Sequence, residues 1–257
     1  MIRQEIINRL SVGTVAIGYT QSDLLTSLHP KNIKYPDWII IGTGFFVDKN
    51  IVITNRHVIV GLLDVLKKGI KKNQLVISFV SVEKEQAISE NEMHAFSFLR
   101  IKFCTYAKNP RLDIGFVELF DLPDFRVPPP LQVTNDLKVN VGDPVGIYGY
   151  PYGIELLKLD NEMFRFGPIL QQGYISAIAP FSNDPCGSIT KLLLDVRTAP
   201  GMSGGPVFLP SNGNIIGINY AGAEATVALA LPINNKVLSG WLEQHKKEIN
   251  LGEIYPK

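Results

Sequence analysis

The chain has only two cysteines in 257 residues, Cys104 and Cys186, far apart in sequence. That excludes a disulfide-rich framework and any CxxC redox or zinc pair; two buried thiols in a reducing compartment are the plainer account. An excess of one charge sign is also lacking, since 25 Lys and Arg against 24 Asp and Glu leave a formal net charge of +1. No global field favours nucleic acid or an anionic membrane surface, and a nucleic-acid partner is not expected. One local basic run, Lys67, Lys68, Lys71 and Lys72, reads as a solvated loop or helix end ahead of a phosphate-binding patch. Apolar stretches such as VIVGLL at 58–63 fall far short of the roughly 18 residues a transmembrane helix needs, so no membrane insertion is expected.

Further absences narrow the field. The N-terminus mixes charges through its first ten residues and has no unbroken apolar core of a secretory signal. No Asn-Xaa-Ser/Thr glycosylation acceptor occurs anywhere. Both point to a cytoplasmic location. There is no HExxH, no Cys/His cluster with zinc spacing, and no loop that reads as a calcium or phosphate cradle, so neither a metal nor another cofactor is expected.

What is present is ordinary for a folded globular protein: 46% hydrophobic and 19% charged residues. Short runs rich in Val, Ile, Phe and Tyr, bounded by Gly, Pro, Asn or Asp, read as strands. They fall at 12–19, 38–47, 51–54, 75–82, 93–104 and 114–120, then at 144–149, 169–179, 189–196, 206–209, 214–220 and 226–231. Between the two sets lies VPPPLQVTND, 127–136, whose consecutive prolines cannot donate to a ladder and favour an extended connector. Two sets of six strands without alternating helices predict an all-β protein of two antiparallel barrels. The division is 1–126, a linker at 127–136, and 137–257. A helical turn is expected after residue 56. LPINNKVLSGWLEQHKKEI, 231–249, places Val237, Leu238, Trp241, Leu242 and Ile249 on one face of a closing C-terminal α-helix.

Three fragments carry candidate chemistry. In PGMSGGPVF, 200–208, glycines let a turn expose the Ser203 hydroxyl among free N–H groups, as a nucleophile requires. A tight turn whose serine bonds its own backbone is the alternative. A general base for Ser203 must be a lysine or one of four histidines. His57 follows a hairpin of aromatic and β-branched residues that fixes a side chain on a rigid frame, whereas His29 and His94 fall in an apparent loop and a strand, and His245 falls on the closing helix. Asp113 in RLDIGFVEL opens an apolar strand and could accept from an imidazole N–H; it could equally be a strand-initiating turn residue.

Taken together and in this order, TGFFV with ITNRHV, then RLDIGFVEL, then GMSGGPVF resemble the trypsin-like serine peptidases, in particular the simple bacterial and organellar branch that includes the HtrA proteases. VNVGDPVGIYGYP at 139–151, GNIIGINYAG and ALALPIN extend the similarity over most of residues 11–240. The His, Asp, Ser order is that of the chymotrypsin-type arrangement.

The resemblance implies two six-stranded, chymotrypsin-like barrels with the site between them. It assigns His57 as general base, Asp113 as its orienting acid and Ser203 as nucleophile. The N–H groups of Gly201 and Ser203, which Met202 could join, would form an oxyanion hole. A polypeptide substrate would bind as an extended strand on the edge of the second barrel near Gly217, Ile218, Asn219 and Tyr220. Its side-chain pocket would be bounded by Arg197, Thr198 and Ala199 and by Asn219 to Ala221; Arg197 could invite an acidic residue or point to solvent. The chain departs from the secreted digestive-type relatives in two ways. Met202 stands where they carry an Asp that pairs with a newly cut N-terminus, and their disulfides are missing. With only LGEIYPK after residue 250, regulation by a PDZ domain would need a separate chain, which leaves room for a regulatory protein partner. A serine endopeptidase is the leading expectation. A silent trypsin-like fold that binds peptides or partners is the alternative, and an esterase a weaker third.

Overall fold

The computed structural model describes residues 2–20, 38–81, 95–109, 112–120, 128–151, 156–159, 162–165, 168–180, 190–223 and 227–250. His29, His94 and Cys186 lie outside them. Among the described residues the chain opens with helix α1 (Gln4–Gly13) and strands β1 (Thr14–Thr20), β2 (Trp38–Asp48) and β3 (Ile51–Thr54). Helix α2 (Arg56–Lys67), β4 (Leu75–Ser81), β5 (Ala95–Tyr106) and β6 (Gly115–Leu119) follow. These six strands close into a barrel in the order β1-β2-β3-β6-β5-β4.

After the connection at 128–136 come β7 (Pro144–Gly149), a two-stranded ribbon of β8 (Leu156–Leu159) and β9 (Glu162–Arg165), and then β10 (Ile169–Pro180) and β11 (Thr190–Leu194). β12 (Pro206–Phe208), β13 (Ile215–Ala223), β14 (Val227–Pro232) and helix α3 (Asn235–Asn250) complete the described elements. The second barrel closes as β10-β11-β14-β13-β12-β7. All pairings within both barrels are antiparallel. Closure removes the unpaired edges that an open sheet of this many apolar strands would present.

Strand alternation produces three layers of core. Successive residues face opposite sides of a sheet, so Val15, Ile17, Phe46, Val52, Ile77 and Val117 fill the first barrel, capped by Val58, Ile59 and Leu62 of α2. Val145, Ile147, Leu192, Leu194, Val207, Ala228 and Ala230 fill the second. The intervening residues of the same strands, Phe45, Ile51, Ile53 and Phe116, meet Tyr148, Phe208, Ile215, Ile218 and Leu231 in a third cluster that joins the barrels. Ile2 just before α1, Ile6 and Leu10 of α1, and Leu238 of α3 also join it. Each fully buried Phe or Ile there contributes roughly 1.5–3 kcal/mol, so the relative placement of the barrels is itself a product of hydrophobic burial.

The structure departs from the sequence reading in three places. Residues 12 and 13, expected in a strand, end helix α1. The turn after residue 56 extends to a 12-residue helix whose apolar stripe seals a barrel end. The β8–β9 ribbon has no counterpart among the expected strands. The basic run falls at the end of α2 and in the 3-10 turn Lys72–Gln74, where cations complement helix carbonyls and Lys67 pairs with Asp64 at 2.9 Å.

Cys104 lies wholly inside the first barrel, where burial pushes its thiol up to about 12 against a smaller opposing effect of Lys72. The thiolate is the reactive form. In a Cys186→Ser chain, Cys104 is therefore expected to resist an aromatic disulfide reagent at pH 8 under native conditions and to react at once in denaturant. Rapid native labelling would contradict this placement.

Candidate active site

β3 leaves the first barrel at Thr54, and the chain turns through Asn55 into α2, whose second residue is His57. The helix begins with unsatisfied N–H groups. Asn55 occupies the cap position but makes no side-chain cap bond; its amide instead donates to the Asp113 carbonyl at 2.9 Å. Capping is supplied from across the barrel: Oδ1 of Asp113 accepts the His57 backbone N–H at 3.0 Å. The other oxygen, Oδ2, lies 2.7 Å from His57 Nδ1. An ionised carboxylate can only accept, so Nδ1 carries the proton and Nε2 is left as the ring's acceptor. The His57 side chain is 50% exposed and that of Asp113 24%, so the ring stays reachable while its partner is sheltered.

Ser203 lies in the loop before β12. Gly201 and Gly204 hold φ of +93° and +89°, a region other residues enter only under strain. A Cβ on Gly204 would collide with the Thr43 carbonyl and the Thr54 hydroxyl. Two fully buried threonines of the first barrel hold this loop. The Thr43 N–H donates to the Ser203 carbonyl at 2.8 Å, and the Thr43 hydroxyl donates to the Gly201 carbonyl at 2.7 Å while accepting the Tyr150 N–H at 3.0 Å. Thr54 donates to the Thr43 carbonyl at 2.6 Å. From the other side Asn219 donates to the Met202 carbonyl at 2.9 Å and to Thr198 Oγ1 at 3.1 Å, while its carbonyl accepts from Gly204 N–H at 2.7 Å. Thr43 stands in the TGFFV fragment, and its task was not read from sequence; the available signal is a hydroxyl in an otherwise apolar strand.

The sequence-derived site residues fall into two groups. Met202 is buried and its N–H donates to the Ala199 carbonyl at 3.0 Å, so that donor is committed within the loop. The N–H groups of Gly201 and Ser203 meet no acceptor among the described residues. Gly217 and Ile218 do not lie on an edge: β13 is paired there with β12 on one side and β14 on the other, and the Ile218 side chain is buried between the barrels. Pairing with β12 stops at Ile218, whereas pairing with β14 continues to Ala223. Among the described residues the edge is therefore open from Tyr220 onward, which moves the expected substrate strand toward Tyr220 and Ala221. Arg197 is exposed, and Thr198 and Ala199 are half-buried in the wall before Ser203. Among the described residues, no group of three or more His, Cys, Asp and Glu could hold a metal ion, and no helix is long and apolar enough to cross a membrane.

Two closed six-stranded barrels, with a carboxylate-held imidazole on one and a glycine-framed serine on the other, define the chymotrypsin-type serine hydrolases. The family model described as the trypsin-like peptidase domain matches residues 42–218; the chain belongs to that family and is a serine protease. Among solved structures it is similar to the Rv3671c protease from M. tuberculosis. An inactive serine-to-alanine form of that protein gives 16% identity and a TM-score of 0.57 over 95% of this chain and 91% of that one. Its active form gives 18% and 0.56 over 93% and 82%. The HtrA-type protease AlgW with a decapeptide gives 17% and 0.58 over 93% of this chain and 66% of that one. No curated protein matches the chain significantly.

Thr43→Val keeps the shape of the side chain while removing the donor to Gly201 and the acceptor for Tyr150. It is expected to lower unfolding stability by about 1–3 kcal/mol, as for other buried groups left unsatisfied. Urea denaturation checks this, and an unchanged midpoint would show that the clasp is dispensable.

Proposed function

We propose that the chain is an endopeptidase working through His57, Asp113 and Ser203 with an acyl-enzyme intermediate. The observation that carries the reading is the two-point hold of Asp113 on His57, at 3.0 Å to the backbone and 2.7 Å to the ring. It selects the tautomer whose free nitrogen is a base. In this reading Nε2 takes the Ser203 proton as Oγ attacks the peptide carbonyl, and Asp113 stabilises the resulting imidazolium. The tetrahedral oxyanion is met by the Gly201 and Ser203 N–H groups, each such donor contributing about 2.7–4 kcal/mol to transition-state stabilisation in comparable sites. The imidazolium returns the proton to the leaving amine, and water repeats the sequence on the acyl ester.

The family acts on polypeptides. We infer that the substrate adds as a strand to the open edge of β13 beyond Tyr220, with main-chain hydrogen bonds for affinity and Thr198, Ala199 and Asn219 beside the pocket. Residues 1–126 then supply base and acid, residues 137–257 the nucleophile and oxyanion loop, and 127–136 links them.

A fluorophosphonate probe tests the reading. It is expected to modify Ser203 covalently in the parent and not in Ser203→Ala. Asp113→Asn, which imposes the other tautomer, is expected to lower kcat by about 10⁴-fold. Peptide cleavage by Ser203→Ala at the parent's rate would overturn the assignment.

A further inference from the structure

β13 is bonded to the serine loop on both sides of Ser203. Asn219 takes the Gly204 N–H on its backbone carbonyl at 2.7 Å, gives its own N–H to the Gly205 carbonyl at 2.9 Å, and gives its side-chain amide to the Met202 carbonyl at 2.9 Å. The same amide nitrogen donates to Thr198 Oγ1 at 3.1 Å. A carbonyl can only accept, so the Met202 bond fixes which way the amide is turned: Nδ2 faces the loop with both its protons engaged. Oδ1 is left over. Asn219 is 1% exposed, and its Oδ1 is buried with no hydrogen-bond partner among the described residues. Thr198 has the complementary surplus. Its oxygen accepts from Asn219, and its hydroxyl proton meets no acceptor among the described residues.

An unpaired acceptor and an unpaired donor therefore stand on two bonded side chains, and Asn219 ties them to both chain neighbours of Ser203. Buried polar groups are nearly always satisfied, so an exception asks what fills it. The pair lies where a substrate side chain is expected. Among the described residues the open edge of β13 begins at Tyr220, directly after Asn219, and Thr198 is half-buried in the wall before Ser203. We propose that Thr198 and Asn219 form a donor–acceptor pair selecting a carboxamide side chain, that of glutamine or asparagine, on the residue whose carbonyl Ser203 attacks. The proposal rests on the reading of Ser203 as nucleophile and deepens it to a substrate class.

A carboxamide carries an acceptor and donors in one plane. Its carbonyl takes the Thr198 proton while its NH2 group gives to Asn219 Oδ1. A carboxylate of the same length also accepts from Thr198, but it turns a negative oxygen toward an acceptor. A Lys or Arg side chain donates to Oδ1 and leaves the Thr198 proton unused. An aliphatic chain satisfies neither. Arg197, the cation beside Thr198 in sequence, is exposed, so the sheltered polar groups of the pair are both neutral. Leaving one such group unpaired lowers kcat/KM roughly tenfold.

Two sets of matched peptides, differing before the cut only in glutamine, glutamate or methionine and in asparagine, aspartate or leucine, test the selection. In at least one set the carboxamide is expected to lead both others in kcat/KM by about tenfold or more. Thr198→Val, which keeps the shape and removes the donor, is expected to lower the carboxamide-to-aliphatic ratio about tenfold. Thr198→Ser, which keeps the hydroxyl, is expected to hold that ratio near the parent's. A merely structural role for Thr198 would lower all substrates alike. The substrate series in the parent is decisive without any variant: carboxamides that trail the acids or the aliphatic residues in both sets overturn the proposal. Calorimetry on Ser203→Ala, with product peptides ending in the same residues, reads the selection without turnover. Tighter binding of the carboxamide peptides supports the proposal, and equal binding across each set overturns it. If Ser203→Ala selects carboxamides but the parent neither cleaves peptides nor labels at Ser203, the proposed function fails while the carboxamide site stands. If the parent cleaves and labels without favouring carboxamides, the function stands and this inference fails.

Discussion

One carboxylate organises the site. Asp113 accepts two N–H groups from the same residue, one from the start of α2 and one from the imidazole that α2 carries. The first bond fixes where the helix begins and the second fixes how the ring is turned, so backbone and side chain of His57 are constrained together. The bond at a helix N-terminus also places negative charge where the helix dipole favours it. Asp113 is held in turn from its own backbone by the Asn55 amide. Asn55, in the cap position of α2, has therefore given up capping to anchor the acid that caps in its place.

The second constraint is the seam between the barrels. Phe45, Ile53, Phe116, Phe208 and Ile218 join them through apolar burial, which is strong but not directional. Direction comes from Thr43, whose hydrogen bonds reach from β2 to Gly201, Ser203 and Tyr150, and from Thr54 of β3, which braces the Thr43 carbonyl. A buried hydroxyl is costly unless satisfied, so these bonds admit little sliding of the serine loop against the histidine barrel. Positive φ at Gly201 and Gly204 then lets the loop pass close beneath Thr43. Burial sets the barrels together, and the threonines set the register of the loop.

Much of this architecture was legible in the residues because strand signals and turn signals agreed. The segments 51–54 and 144–149 coincide with β3 and β7, each being a short β-branched or aromatic run bounded by Asp, Asn, Gly or Pro. Helix α1 was not legible: Ile2, Ile6 and Leu10 repeat every four residues, but their burial depends on a cluster assembled from residues distant in sequence in both barrels. The open part of β13 was also hidden, since an edge is created by where β12 stops pairing rather than by any property of Gly217 or Ile218. His57, Asp113 and Ser203 were singled out by local motifs, whereas the task of Thr43, although it stands in the TGFFV fragment, was not. That task exists only because segments distant in sequence come together, Thr43 of β2 beside Gly201 of the serine loop.

The central claim is that Asp113 decides which ring nitrogen of His57 carries the proton. Nitrogen-15 NMR of the histidine-labelled chain at a pH where the ring is neutral reads that directly. The account predicts that His57 shows a protonated Nδ1 and an unprotonated Nε2, and that Asp113→Asn reverses the pattern. A parent chain with its proton on Nε2 would contradict it.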